Sequence, residues 1–361
     1  MERLETFEMP LLNDIAKESV NSFSVVITIK ESDWIYVEKT LPLIQRNIKP
    51  KQIILISSAN LIHKVSQSNY LVCLDEDYIF SGMTLANVKE EISSAGGDPK
   101  DAGWYLQQFI NLSYSRICKD PYYLVWDVDT MPLNPISFFE TESKKPLFYM
   151  KREYMKVYFD TIRALLGLEK CQSESFTAEH MMINTALCHE LLYYIENNND
   201  IIGDAFWKKC IHSVNYSKRL RSFAEYETYG TYVTVNHPGF YKQSKLRTLR
   251  SGCEFIGTSP SKEILDWATK DFDIISFEHW GVPIKKSVEL CADKRVREIL
   301  SFADVIRYIC DWIQQNAING DENDKKLYRK LCICMELDFF FGNQTVYDKM
   351  RVSNVLSNWK C

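Results

Sequence analysis

The sequence lacks the features of a membrane-spanning, secreted or nucleic-acid-binding protein. None of its apolar runs approaches the roughly 20 residues that a membrane-spanning helix needs. The first residues, MERLETFEMPLLNDIAKES, have neither the basic start nor the apolar core of a secretion signal. We therefore expect a cytoplasmic protein, with room for contact at the inner face of the membrane. The 43 Lys and Arg residues are balanced by 48 Asp and Glu residues, so nucleic acid is not an expected partner.

Disulfide frameworks and zinc sites are also poorly supported. The 11 cysteines are an odd number, and the closest pair is Cys332 and Cys334. A structural zinc site needs four ligands, and neither a second cysteine pair nor a nearby histidine completes this one. We expect reduced and mostly buried thiols.

Strands and helices alternate over the first half of the chain. Apolar or β-branched runs of strand length occur at residues 24–29, 51–57, 70–74 and 122–126. Helices are predicted from Asp33 to Leu41, where Pro42 would kink or restart the helix, and from about Gly103 to Cys118. This order predicts an α/β fold, with a Rossmann-type, mostly parallel sheet flanked by helices.

The second half has a more mixed pattern. Helices are predicted at about 154–168 and 179–196, and a short strand at 232–235. Beyond Pro283, apolar residues recur at helical spacing as far as Asn319. The predicted organisation is an N-terminal arm (1–21), one α/β domain (22–282) and a C-terminal helical region (283–361).

Asp127 and Asp129 follow the strand Tyr122-Tyr123-Leu124-Val125-Trp126 directly. Two carboxylates two residues apart in an extended segment point the same way, so both can approach one hard cation. Ligands of open parallel sheets bind at the carboxyl ends of strands, where this pair falls. A Mn²⁺ or Mg²⁺ ion there would stabilise the departing diphosphate of a nucleotide sugar. The pattern predicts a metal site in a nucleotide-sugar-dependent transferase.

The Asp-Val-Asp pattern is also compatible with two alternatives. One is a solvated acidic turn without a ligand. The second is a phosphoryl-transfer enzyme similar to haloacid dehalogenases, whose signature is DxDx[TV]. Met131 occupies the position where that signature needs Thr or Val, and three strand candidates precede the motif instead of none.

A family resemblance extends over residues 22 to 282. The segments SVVITIKESDW, GWYLQQFINLSYSRI, YYLVWDVDTMPL, SFTAEHMMIN and FAEYETYGTYV resemble a family of bacterial GT-A-type glycosyltransferases long described only as a domain of unknown function. The resemblance implies a GT-A fold, a donor that is most often a uridine diphosphate sugar, and a cell-envelope glycan or lipid-linked acceptor. It implies metal binding by Asp127 and Asp129. The implied donor-binding residues are Thr28, Lys30, Asp75, Asp77, Gln107 and Trp126.

Further site candidates come from the residues themselves. Glu225 and Glu227 alternate with aromatic residues, and a carboxylate beside an acceptor hydroxyl is the general base that an inverting transferase needs. Glu225 is the stronger candidate of the two. His180 is expected at the start of a helix, where a phosphate or sugar could bind, although a purely structural histidine is the alternative.

His279 is predicted to complete the site from the end of the α/β domain. Two carboxylates leave coordination positions open, and a neutral imidazole suits Mn²⁺, so His279 is assigned as a further metal ligand or phosphate contact. Glu278 is the competing ligand.

Two functions of different classes compete with glycosyl transfer. One is a non-catalytic module that binds a nucleotide sugar or glycan. The second gives the main role to the C-terminal helices, through homodimerisation or peripheral membrane contact, because basic and apolar residues alternate around Lys325 and Leu331.

Overall fold

The computed structural model describes residues 22–65, 67–151, 155–218, 221–278 and 281–319, together with Val352 and Leu356. The strands of this part are β1 (Ser24–Thr28), β2 (Ile53–Ser57), β3 (Leu71–Asp75), β4 (Tyr122–Trp126), β5 (Thr130–Pro132), β6 (Leu147–Tyr149), β7 (His180–Asn184), β8 (Lys242–Ser244), β9 (Thr248–Leu249) and β10 (Ile274–Ser276). Its α-helices are α1 (Trp34–Asn47), α2 (Ala59–Ile62), α3 (Leu85–Ser94), α4 (Ala102–Ser113), α5 (Lys156–Leu166), α6 (Thr185–Glu196), α7 (Phe206–His212), α8 (Glu225–Asn236), α9 (Gly252–Ile256), α10 (Lys262–Ala268), α11 (Lys285–Ala292), α12 (Lys294–Ile299) and α13 (Phe302–Asn319).

Five strands form a central sheet in the order β3-β2-β1-β4-β7. The first four are parallel, and β7 runs antiparallel to β4. The chain proceeds outwards from β1 to β3 and then returns to the opposite side of β1 as β4, so the strand order reverses between β1 and β4. The predicted α/β fold with a mostly parallel sheet flanked by helices is confirmed.

Both faces of the central sheet are covered, which accounts for the unbroken apolar runs of its strands. Val26 and Val125 point into a core that α3, α4, α6, α7 and α8 share. Their neighbours Val25 and Leu124 point into a second core on the α1 side of the sheet. This alternation decides which layer each residue at the carboxyl end of a strand can reach.

A small second sheet, in the order β5-β10-β9, continues from the end of β4. β10 pairs antiparallel with β5, with Ser276 opposite Thr130. A third core joins this sheet to α9–α13 through residues such as Met131, Ile275 and Ile306. The chain that leaves Asp129 is therefore fixed by residues far along the sequence.

Helix α1 extends further than its sequence predicts. It runs through Pro42 to Asn47. A proline inside a helix removes one hydrogen bond to the carbonyl four residues earlier, here that of Glu38. Pro42 lies on the exposed side of α1, where water can reach such a carbonyl.

In the second half, the helix predicted at 179–196 begins later than expected, and the strand predicted at 232–235 is wrong. Residues 180–184 form strand β7, and α6 begins only after Asn184, whose side-chain oxygen accepts a hydrogen bond from the Leu187 amide at 3.0 Å. Residues 232–235, predicted as a strand, belong to α8. Pairing of β7 with β4 and packing of α8 against α4, α5 and α6 override the local preferences of these segments.

Within the described ranges, no helix is long and apolar enough to cross a membrane. The segment around Lys325 and Leu331 lies outside the described residues.

Candidate active site

The candidate site lies where the strand order reverses. The parallel pairing places Val26 beside Val125, so Thr28 and Asp127, each two residues further along, reach the same edge of the sheet. The alternation along β1 and β4 places both on the side of α4 and α8. Open parallel sheets bind their ligands at this kind of edge.

The turn that contains Asp127 and Asp129 is held by backbone hydrogen bonds from three directions. The Asp127 amide donates to the Glu179 carbonyl at 3.0 Å, and the Thr130 amide donates to the Asp127 carbonyl at 3.0 Å. The Phe277 amide donates to the Asp129 carbonyl at 2.8 Å. Strands β7 and β10 therefore fix the turn at the end of β4, and both aspartates remain partly exposed.

Carboxylates crowd this turn. Burial raises the pKa of Asp127 well above its usual range, and the charges of Asp129, Glu225, Glu179 and Glu278 raise it further. Burial, followed by the charges of Glu278 and Glu179, raises the pKa of Asp129 to about 7. The fold therefore disfavours the charged forms of Asp127 and Asp129, and a positive charge beside them would favour those forms. The electrostatics of the turn therefore fit a cation.

Two basic side chains offset part of this negative charge. Lys151 forms a buried ion pair with Glu179, and the Arg250 Nε atom lies 2.7 Å from Glu278 Oε1 and 3.8 Å from Glu179 Oε1. Burial raises the pKa of Glu179, but Lys151 and Arg250 outweigh it and lower this pKa to about 2. Glu179 is thus a charged carboxylate beside Asp127.

Glu225 is connected to the end of β1 through Asn111. The Thr28 hydroxyl donates to Asn111 Oδ1 at 2.9 Å, and Asn111 Nδ2 donates to Glu225 Oε1 at 3.0 Å. The Glu225 amide donates to Gln108 Oε1 at 3.0 Å. Burial raises the pKa of Glu225 to about 7, although the hydrogen bond from Asn111 lowers it in part. Such a carboxyl group can exchange a proton near neutral pH.

Glu227, two residues further along α8, has a different environment. Its carboxylate accepts hydrogen bonds from the Ser175 hydroxyl, from the Phe176 amide at 3.1 Å and from the Thr177 hydroxyl at 3.3 Å. A β-carbon at Gly230 would lie 2.3 Å from the Phe176 ring, so α8 approaches this segment closely. Glu227 holds residues 175–177 against α8.

Trp126 and His180 pack beneath the turn. Their rings stack with centroids 5.1 Å apart, and the Trp126 indole N–H donates to the Thr130 carbonyl at 2.8 Å. Burial lowers the pKa of His180 to about 4, so the imidazole is neutral. His180 begins strand β7 rather than a helix, so the predicted helix start at this residue is wrong.

The remaining predicted site residues lie further from the turn or outside the described residues. Lys30 is exposed, with Nζ 3.8 Å from Asp33 Oδ1. At the end of β3, Asp75 Oδ1 accepts a hydrogen bond from the Asp77 amide at 3.1 Å. Gln107 is partly exposed on α4. His279 is not among the described residues, and those that are described contain no group of three or more His, Cys, Asp or Glu side chains arranged to hold a metal ion.

Comparison with known families identifies the chain. Residues 48–251, more than half of its length, match a family of unknown function, DUF6492. The chain belongs to this family. The sequence was found to resemble a family described as one of unknown function, and this general part of the resemblance is confirmed. No curated protein matches this DUF6492 protein.

Solved structures with similar folds include three described as glycosyltransferases. Mouse xyloside xylosyltransferase 1 is 12% identical over 73% of this chain and 99% of its own, with a TM-score of 0.38. The galactosyltransferase LgtC is 9% identical over 77% of this chain and 100% of its own, with a TM-score of 0.37. GlyE of Streptococcus pneumoniae is 10% identical over 82% and 64%, also with a TM-score of 0.37. Likenesses this distant do not assign an activity to the DUF6492 protein.

Several residues of the site were not singled out from the sequence. Asn111, Arg250 and Tyr226 come from separate parts of the chain that only the tertiary structure brings together. The one available signal was the position of Tyr226 between the two glutamates of α8.

Proposed function

We propose that the DUF6492 protein is a metal-dependent glycosyltransferase that moves a sugar from a nucleoside diphosphate, with uridine as the nucleoside, to an acceptor hydroxyl. The observation that best supports this is the pair Asp127 and Asp129 at the carboxyl end of β4, at the reversal of the strand order and within an unbalanced group of carboxylates. A nucleotide-binding edge with excess negative charge fits a diphosphate only when a cation lies between them.

Asp127 and Asp129 would hold that cation, Mn²⁺ or Mg²⁺. Their raised pKa values fit a bound divalent ion, because its charge would allow both to ionise at neutral pH. When bound, the ion would withdraw negative charge from the departing diphosphate. Two carboxylates leave coordination positions for phosphate oxygens, water and, as the sequence predicts, His279.

Glu225 would act as the general base of an inverting transfer. The acceptor hydroxyl gives its proton to the Glu225 carboxylate, its oxygen forms a bond to the anomeric carbon, and the bond to the diphosphate breaks with both electrons going to the phosphate oxygen. Asn111 donates a hydrogen bond to one oxygen of Glu225 and so fixes the carboxyl group in place. A pKa of about 7 suits this role at neutral pH.

The acceptor class, a cell-envelope glycan or a lipid-linked sugar, follows from the resemblance of the sequence. A homodimer or a peripheral membrane contact through the C-terminal helices remains part of this proposal.

The test combines binding with turnover. A panel of nucleotide sugars is screened by thermal shift with and without Mn²⁺, since a ligand raises stability with the logarithm of its concentration over Kd. The best donor is then assayed for metal-dependent release of the nucleotide. Binding without turnover would favour the non-catalytic module, and binding of none would refute both.

A further inference from the structure

Two buried polar groups next to Asp127 have no partner with full hydrogen-bond geometry in the described part of the chain. They are the second carboxylate oxygen of Glu179, Oε2, and the hydroxyl of Tyr226. Glu179 is 3% exposed and Tyr226 is 5% exposed. Roughly nine in ten buried polar groups are hydrogen-bonded, so an unpaired donor and acceptor at one site call for a ligand.

The two groups approach the turn from different elements. Glu179 immediately precedes β7, and its carbonyl accepts the hydrogen bond from the Asp127 amide. Tyr226 lies in the first turn of α8, next to Glu225. Burial, then the charges of Asp127, Glu225 and Glu179, and an interaction of the hydroxyl with the Asp127 carboxyl group raise the pKa of the Tyr226 phenol. The phenol therefore neighbours these carboxylates and keeps its proton.

The chemistry of the pair is complementary to an alcohol. Lys151 holds Glu179 Oε1, which leaves Oε2 as an acceptor in a fixed position. Tyr226 can supply a proton as a donor. A sugar hydroxyl both donates and accepts a hydrogen bond, whereas a phosphate oxygen only accepts and would be repelled by Glu179.

We propose that Glu179 and Tyr226 together bind a hydroxyl group of the sugar of the donor, while the nucleoside diphosphate binds on the side of Asp127 and Asp129. This inference rests on the proposed function and adds to it the residues that bind the sugar of the donor.

The experiment compares two phenol-to-phenyl changes on the same helix. Tyr226→Phe removes a hydroxyl that interacts with the Asp127 carboxyl group without full hydrogen-bond geometry. Tyr229→Phe removes one that accepts from the Asn184 amide at 2.9 Å and lies 2.9 Å from the Tyr241 hydroxyl. The full chain is titrated in Mn²⁺ by calorimetry with UDP, UDP-glucose, UDP-galactose and UDP-N-acetylglucosamine, and thermal unfolding is measured in parallel.

We expect Tyr226→Phe to bind UDP like the parent but to bind the best UDP-sugar about 3- to 10-fold more weakly, without a lower unfolding temperature. Tyr229→Phe should lower the unfolding temperature and leave the ratio of the two affinities unchanged. Glu179→Gln should weaken binding of the UDP-sugar more than Tyr226→Phe does, by about 10-fold or more, because the Glu179 carboxylate is a charged hydrogen-bond acceptor.

An unchanged affinity of Tyr226→Phe for every ligand would overturn the inference, as would an equal loss for UDP and for the UDP-sugar. The proposed function is tested separately, by the binding of the parent protein. A parent protein that binds neither UDP nor any UDP-sugar would refute both the proposed function and this inference.

Discussion

The carboxylates at the end of β4 and those on the protein surface respond to folding in opposite ways. On the surface, a hydrogen bond from Lys242 helps to lower the pKa of Glu140 to about 2, and Lys218 lowers that of Asp160. At the end of β4, burial and neighbouring carboxylates raise the pKa values of Asp127 and Asp129. Folding therefore favours the charged forms of the surface carboxylates and disfavours the charged forms of Asp127 and Asp129.

The difference shows that ionisation of the carboxylates at the end of β4 destabilises the folded protein. Lys242 pairs with Glu140, and Lys218 and Arg163 pair with Asp160, but Lys151 and Arg250 offset only part of the charge around Asp127. Groups with strongly perturbed pKa values concentrate at functional sites, because binding or catalysis needs them there. Four predictions test this contrast, beginning with the largest expected effect.

The first prediction is that Asp127→Asn or Asp129→Asn lowers metal-dependent release of the nucleotide from the best donor by about 1,000-fold or more, because the diphosphate charge loses several kcal/mol of stabilisation. The unfolding temperature at neutral pH should stay the same or rise, since a buried carboxylate that resists ionisation has been removed. Asp160→Asn serves as the surface control and should turn over normally. Near-parental turnover in either site variant would contradict the metal assignment.

The second prediction separates two glutamates of one helix. Glu225→Gln should lower turnover by roughly 100- to 10,000-fold, since the amide cannot accept the proton, while binding of UDP is kept. Glu227→Gln should leave turnover within about 3-fold of the parent and lower stability instead, because its carboxylate holds residues 175–177. Equal effects of the two changes on turnover would refute this division of roles.

The third prediction concerns stability and pH. The pKa of Glu225 is raised from 4.5 to about 7 in the folded state, so its protonated form favours folding. This stabilisation is complete below about pH 4.5 and is lost as the pH rises to about 7, by an amount on the order of 3 kcal/mol. Urea unfolding in EDTA should show the decline in the parent and a smaller one in Glu225→Gln. Parallel curves for the two proteins would show that Glu225 ionises normally.

The smallest effect is expected at the surface. Glu140→Gln removes the ion pair with Lys242, and exposed pairs of this kind contribute little and are screened by salt. We expect no change in turnover and a small loss of stability that disappears in 1 M NaCl. A loss that persists in high salt would mean that Glu140 has a structural role beyond this pair.

Much of the fold was predictable because it depends on local pattern. The apolar runs of β1, β2 and β4 are long enough to identify buried strands, and their alternation with helices predicts a parallel sheet. The residues assigned wrongly are those of β7 and residues 232–235 of α8, which do not prefer the structure they adopt. Each segment takes its form from partners distant in the sequence: β7 from its pairing with β4, and α8 from packing against α4, α5 and α6.

The sequence by itself determined that two carboxylates end a buried strand, because a run of apolar residues followed by Asp-Val-Asp allows few alternative arrangements. The tertiary structure alone decided what surrounds them. Glu179, Glu225 and Glu278 lie between about 50 and 150 residues from the pair along the chain. Glu225 and Glu227 are only two residues apart on α8, yet their surroundings differ. Electrostatic interactions act through space, so the charge balance of this site exists only in the folded chain.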